Sequence, residues 1–151
     1  MILNVYRHFY DRKSFWEKLK DARALEFQNL ILRGDLNLTM SSNEVWGKNA
    51  RAHSLAPYFR HMFEQKGPVD VAPIKISPTW RNKRSGDHAV SKRLDKFLVL
   101  ENLIGINLII KASVEIGGNS NHNPIVLTIN TPIKKPPPPF IRGNFNSKWA
   151  S

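Results

Sequence analysis

The chain has 151 residues, 41% of them hydrophobic, no cysteine and a formal charge of +11. Its length points to one domain with a sizeable core and its apolar content argues against wholesale disorder, while the lack of thiols excludes disulfides and thiolate metal sites and fits a reducing compartment. The positive charge favours a polyanionic partner, since neutralising phosphates releases condensed counterions, although a solvated basic face has the same composition.

In chain order, Ile2 to Tyr6 reads as a strand. Arg12 to Ala24 follows as a helix, with Phe15, Trp16, Leu19 and Ala22 at helical spacing and Asp11 as its cap. Leu30 to Leu32 is a buried strand ended by Gly34, which relaxes the steric limits on the turn after it. Glu44, three residues after Ser41, suggests a capping box. Ala50 to Gln65 carries Leu55, Phe59, Met62 and Phe63 at helical spacing, with Pro57 as a kink or as the true start and Gly67-Pro68 as the stop. Val69 to Ile76 contains Pro73 and is expected at a sheet edge.

Pro78-Thr79-Trp80 leads into a basic turn from Arg81 to His88. Leu94 to Leu100 reads as a buried strand, Val114 to Ile116 as a short one, and Ile125 to Ile129 as the last, β-branched one. Beyond residue 130 the character changes. Lys134-Lys135 and Pro136 to Pro139 form a stiff linker, and Phe140 to Ser151 has too little apolar content to pack alone. The expected division is a domain over 1–130 and a Pro-rich basic linker and tail over 131–151. The apolar region from Phe97 to Ile116 is broken by Glu101, Asn102, Asn107, Lys111 and Glu115, so no membrane span is expected. Nor does the N-terminus show the pattern of a secretory signal. Strand, helix, strand, helix and then mostly strands is the order of an α/β (α+β) sandwich with helices outside stacked sheets.

Three short motifs carry chemistry. In Gly34-Asp35-Leu36-Asn37, period-two alternation of an extended segment puts a carboxylate and an amide on one side, able to position water or a metal or to shuttle a proton. An Asx-type turn closing a strand is the alternative. Asp95 lies among large apolar strand residues, where a carboxylate is costly without a partner. A histidine is its natural partner, and surface pairing with Arg93 or Lys96 is the alternative. His122, in Ser120-Asn121-His122-Asn123-Pro124-Ile125, precedes the last strand and is either that partner or a solvated side chain.

Taken together, Asn4-Val5-Tyr6, Phe15-Trp16, Leu30 to Asn37, Pro78-Thr79-Trp80, Arg93 to Val99 and Ser120 to Ile125 resemble the back half of the endonuclease/exonuclease/phosphatase superfamily of metal-dependent phosphodiesterases. Within it the likeness is strongest to the apurinic-type endonuclease domain of plant LINE-type (non-LTR) retrotransposons. It covers essentially the whole chain. The resemblance implies the C-terminal half of a four-layer α/β/β/α sandwich, truncated at its N-terminus. It implies that Tyr6 contacts the scissile phosphate or orients water, Asp35 handles a proton, and Asn37 orients nucleophile and phosphate. It further implies that Asp95 orients His122, which polarises the phosphate. Trp80 is read as packing.

Two departures from the family pattern matter. Asn121 stands where the family has an aspartate, losing a charge and a proton acceptor. The front half, which supplies the principal metal glutamate, is missing, so magnesium is implied but no metal ligand set is intact. The expectation is therefore a DNA endonuclease family domain that is truncated and inactive in this chain. The alternative is a non-catalytic nucleic-acid-binding remnant, with Lys83, Arg84, Lys92, Arg93 and Lys96 meeting phosphates, helped by Lys134, Lys135 and Arg142. DNA is the implied partner, and the implied location is intracellular, nuclear where functional.

Overall fold

A computed structural model of the chain describes residues 1–6 and 11–132. In chain order the elements are β1 (Ile2–Asn4), α1 (Arg12–Asp21), β2 (Ile31–Asp35), β3 (Val45–Trp46), α2 (Ala56–Lys66), β4 (Pro68–Asp70), β5 (Trp80–Arg81), β6 (Ser91–Lys92), β7 (Asp95–Leu100), α3 (Glu101–Ile104), β8 (Ile109–Val114) and β9 (Ile125–Asn130). The main sheet has the order β1-β2-β7-β4, with β1 parallel to β2 and the other pairs antiparallel. A small sheet, β3-β6-β5, and the hairpin β8-β9 stand beside it. The linker and tail lie outside the described residues from residue 133 onward. No helix among the described residues is long and apolar enough to cross a membrane.

Alternation along the two central strands sets the layers. Leu30, Leu32, Leu98 and Leu100 pack with Trp16 of α1 and Phe59, Met62 and Phe63 of α2. The intervening Ile31, Phe97 and Val99 pack instead with Ile110 and Ala112 of β8 and Ile125 and Leu127 of β9. Helices thus cover one face of the sheet and the hairpin covers the other, a mixed α+β architecture with three layers among the described residues. Trp16 anchors the helical layer, edge-on to Phe59 at 5.8 Å and to Phe63 at 5.4 Å between ring centroids. Edge-to-face pairs add about 0.5–1.5 kcal/mol beyond area burial.

Several boundaries differ from the sequence reading. β2 runs through Gly34 to Asp35 instead of stopping at the glycine. Gly34 has φ +131°, and a Cβ there would fall 1.9 Å from the carbonyl oxygen of Val5, so glycine is what lets the end of β1 pass so close. α2 starts at Ala56, with Pro57 in its first turn. α1 stops at Asp21, and Arg23 turns the chain with a positive φ. The Ser41–Glu44 capping box is corrected. Those residues form a single 3-10 turn, and Glu44 Oε2 accepts the amide N–H of Met40 at 2.6 Å. The strand expected at Val114–Ile116 is also corrected. It runs from Ile109 to Val114, and Ile116 is fully exposed. Lys111 and Ser113 point outward there and hide the alternation in an otherwise apolar run.

A buried ion network ties the sheet to the small sheet. Arg93 donates to both oxygens of Asp70, at 2.7 and 2.6 Å, and to Glu44 Oε1 at 2.6 Å. Lys96 Nζ contacts Glu44 Oε1 and lies 3.5 Å from Asp70 Oδ2. Arg93 is 2% exposed and Lys96 1%. This corrects their reading as phosphate contacts, because both are interior and already matched by two carboxylates. Burial pushes the Asp70 carboxyl up, but the Arg93 hydrogen bonds and the Lys96 charge outweigh it and hold it below its ordinary value. The stability Asp70 contributes is therefore full above the ordinary carboxylate pKa and is lost as pH falls through the depressed one. Arg93→Met leaves two inward-facing carboxylates with one amine. It is expected to destabilise the fold by roughly 3–5 kcal/mol in urea unfolding; an unchanged midpoint would mean the network is not buried as described.

Candidate active site

The β2–β7 register sets Asp35 directly opposite Asp95. Both carboxylates are largely buried, and like charges in facing positions repel. His122 sits between them. Its Nδ1 lies 2.9 Å from Asp95 Oδ2 and its Nε2 3.9 Å from Asp35 Oδ2. The sequence motifs on three distant segments therefore meet, and Asp95 takes the histidine rather than Arg93 or Lys96.

The loop bearing His122 is held like an extra strand on β5. Trp80 bridges His122, the Arg81 N–H donates to the Asn121 carbonyl at 2.9 Å, and the Asn123 N–H donates to the Thr79 carbonyl at 2.7 Å. Gly117 admits this path, since a Cβ there would lie 2.9 Å from the His122 carbonyl oxygen. Thr79, fully buried, also fixes the other partner. Its Oγ1 accepts the N–H groups of Leu94 at 2.9 Å and Asp95 at 3.0 Å. One residue thus clamps the segment before Asp95 and the segment after His122.

Asp35 and Asn37 face each other by a different route from simple alternation. Asn37 has φ +50°, its N–H donates to Asp35 Oδ1 at 2.9 Å and its Nδ2 donates to Oδ2 at 3.3 Å. The Asx-type turn and the carboxylate–amide pairing are the same feature. Burial pushes the Asp35 carboxyl above its ordinary value. The Asn37 N–H opposes this, the Asp95 charge adds to it, and His122 and Arg12 oppose it.

Tyr6, Asp35, Asn37 and His122 line one cavity of about 370 Å³, and Asp95 stands behind His122. Tyr6 is 77% exposed. Asn121, adjacent in sequence to His122, lines a different cavity of about 430 Å³ together with Arg81 and Lys83. Of the basic residues singled out from sequence, Lys83 and Arg84 are on the exposed turn, Lys92 lines the His122 cavity, and Arg93 and Lys96 are interior. Trp80, read as packing, also lines the His122 cavity.

Sequence reasoning missed Arg12, His53 and Thr79. Arg12 lines the same cavity although it is 8% exposed, and it is hydrogen-bonded to His53 Nε2. A signal existed: Arg12 lies four residues before Trp16, so a cation shares the buried face of α1. His53 gave none; it is placed by donating its N–H to the Thr39 carbonyl. Among the described residues, no group of three or more His, Asp or Glu side chains is arranged to hold a metal ion.

No family model matches the chain, and no curated protein matches it. A solved structure does: the endonuclease domain of TRAS1, a telomere-specific non-LTR retrotransposon. The two share 17% identity at a TM-score of 0.63, over 86% of this chain and 56% of that one. The fold is therefore endonuclease-like, and this chain spans little more than half the length of that structure.

Two outcomes follow from the geometry. Because the folded state raises the Asp35 pKa, ionising it costs stability. That cost is absent below the ordinary carboxylate pKa and complete above the raised one. Thermal melts of Asp35→Asn should match wild type at acid pH and exceed it increasingly as pH rises through that window; a deficit at every pH would refute the assignment. Thr79→Val strands two buried N–H donors at about 1–3 kcal/mol each, whereas Thr79→Ser keeps the acceptor. The valine variant should lose the His122 ring contacts to Asp95 in NMR spectra, and the serine variant should keep them.

Proposed function

We propose that this chain is a DNA-binding portion of an endonuclease-type phosphodiesterase domain that holds the imidazole, carboxylate and amide of the hydrolytic site but does not cleave alone. The observation that carries the reading is the convergence of His122, Asp35 and Asn37 on one cavity, with Asp95 bonded behind the imidazole. Phosphodiester hydrolysis needs three services: orientation of water, movement of its proton, and stabilisation of charge on the phosphoryl oxygens. With Nδ1–H donated to Asp95, the ring orientation is set and Nε2 is the nitrogen turned to a phosphoryl oxygen, to which it donates whenever it carries a proton. Asp35, biased toward its protonated form, suits proton exchange with water or leaving group. The Asn37 amide steadies that carboxylate, and the exposed Tyr6 hydroxyl stands at the cavity lining to meet the phosphate.

The magnesium implied by the resemblance is not matched by the described residues. A hard cation takes several oxygen ligands. Here both Asp35 oxygens accept hydrogen bonds from Asn37, Asp95 Oδ2 holds His122, and Asn121 borders another cavity. This mismatch motivates the expectation of silence.

Binding to duplex DNA should weaken about tenfold or more between about 50 and about 200 mM salt, as at least two phosphate contacts require. A flat salt response would end the DNA-binding reading. In a supercoiled-plasmid assay with magnesium, neither wild type nor Asn121→Asp should nick above a buffer blank. Nicking by wild type that disappears in His122→Ala would overturn the claim of silence and show a complete site.

A further inference from the structure

The cavity at His122 is lined by a second group of side chains whose chemistry differs from the first. They are Arg12, His53 and Lys92, from α1, the segment before α2, and β6. Arg12 is a buried guanidinium whose pKa burial lowers, with Asp35 opposing that loss. It is hydrogen-bonded to His53 Nε2, while His53 Nδ1 faces the Leu55 N–H at 3.1 Å. Both ring nitrogens of His53 face donors and a neutral ring accepts at only one of them, so the doubly protonated imidazolium is disfavoured here. Burial and the charges of Arg12 and Lys92 push the His53 pKa down in the same direction.

Among the described residues lining the His122 cavity, Arg12 and Lys92 are permanent cations and Asp35 is the carboxylate. Asp35 is itself biased toward its neutral form. The cavity therefore concentrates positive potential within low-dielectric walls, where one anion gains more than on an open surface. A guanidinium held by an imidazole beside an ammonium is a donor array suited to phosphate oxygens.

We infer that Arg12, His53 and Lys92 form an anion subsite that takes a phosphate of a nucleic-acid strand next to the phosphate placed against Asp35, Asn37 and His122. The strand position rests on the phosphodiesterase reading of the cavity. In this subsite Arg12 and Lys92 contact the phosphate, and His53 is a positioning residue that aims Arg12.

The test measures binding of a single-stranded oligothymidylate across a salt series, with chelator present so that cleavage plays no part. Lys92→Ala should weaken binding about tenfold at low salt. It should also lower the slope of log affinity against log salt by about 0.7, the share of one phosphate contact. Lys111→Ala, which removes the same charge from the exposed outer face of β8, should leave the slope near wild type. Equal slope changes in the two variants would overturn the subsite and leave only overall charge. Arg12→Gln is run beside them with a thermal melt. Lys92 is only half-buried, so the test survives if the Arg12 variant fails to fold. Inorganic phosphate is titrated in parallel; saturation by it at lower concentration than by the oligonucleotide would refute a strand site in favour of free phosphate. Because no arm depends on turnover, a failed plasmid assay leaves these outcomes separately readable.

Discussion

Two carboxylates set opposite each other across antiparallel strands are the constraint around which this molecule is organised. The β2–β7 register that pairs Ile31 with Val99 also pairs Asp35 with Asp95. The register cannot slip by one residue to relieve that repulsion. A slip would turn Leu32 or Leu98, whichever strand moved, from the helical layer toward the hairpin and disrupt both cores. The strain is met locally instead. Asn37 supplies two donors to Asp35, Asp95 takes the imidazole of His122, and Asp35 shifts toward its neutral form. Hydrophobic alternation, which has no chemical purpose of its own, thereby fixes a geometry in which one carboxylate holds an imidazole and the other faces that ring while biased toward its neutral form.

Holding that geometry needs a rigid frame, and two buried polar devices provide it. The first is Thr79, whose hydroxyl replaces a ladder partner for Leu94 and Asp95 while its carbonyl holds Asn123. The second is the four-charge network at the start of β7. Arg93 and Lys96 flank Asp95, and their carboxylate partners come from the 3-10 turn at Glu44 and from β4 at Asp70. Buried ion pairs contribute little net stability compared with apolar packing, but they penalise every arrangement that leaves one charge alone. Their position beside Asp95 places that penalty where a wrong register would be most damaging.

What could be read from the chain divides along the range of the interactions. Trp16, Phe59, Met62 and Phe63 announce their helices by local spacing, and the apolar runs of β2, β7 and β9 announce strands. Asp95 was legible as a carboxylate needing a partner because burial is costly for it wherever the chain goes. Arg93 and Lys96 misled for the opposite reason. A basic residue near a strand end looks like surface, and the carboxylates that draw Lys96 inside lie 52 and 26 residues away. Glu44 looked like a helix cap for want of any local sign of that pairing. β8 escaped because its inner residues, Ile110 and Ala112, alternate with Lys111 and Ser113, and half its signal is polar. His53 enters the cavity through a backbone bond to Thr39 and a contact with Arg12, neither of which has a sequence pattern.

Two sets of side chains with different chemistry line one cavity. Asp35, Asn37 and His122 form one set and Arg12, His53 and Lys92 the other, and the Arg12 charge acts on Asp35. On the proposed reading, affinity for a phosphate chain draws on the fixed charges and depends on salt. Proton exchange on that reading draws on Asp35 and His122, whose placement depends on Thr79. The two properties rest on different residues held by different contacts, the first by α1 and β6, the second by the β2–β7 register and the His122 loop. On the proposed reading, a change in the contacts that hold one set therefore need not disturb the other.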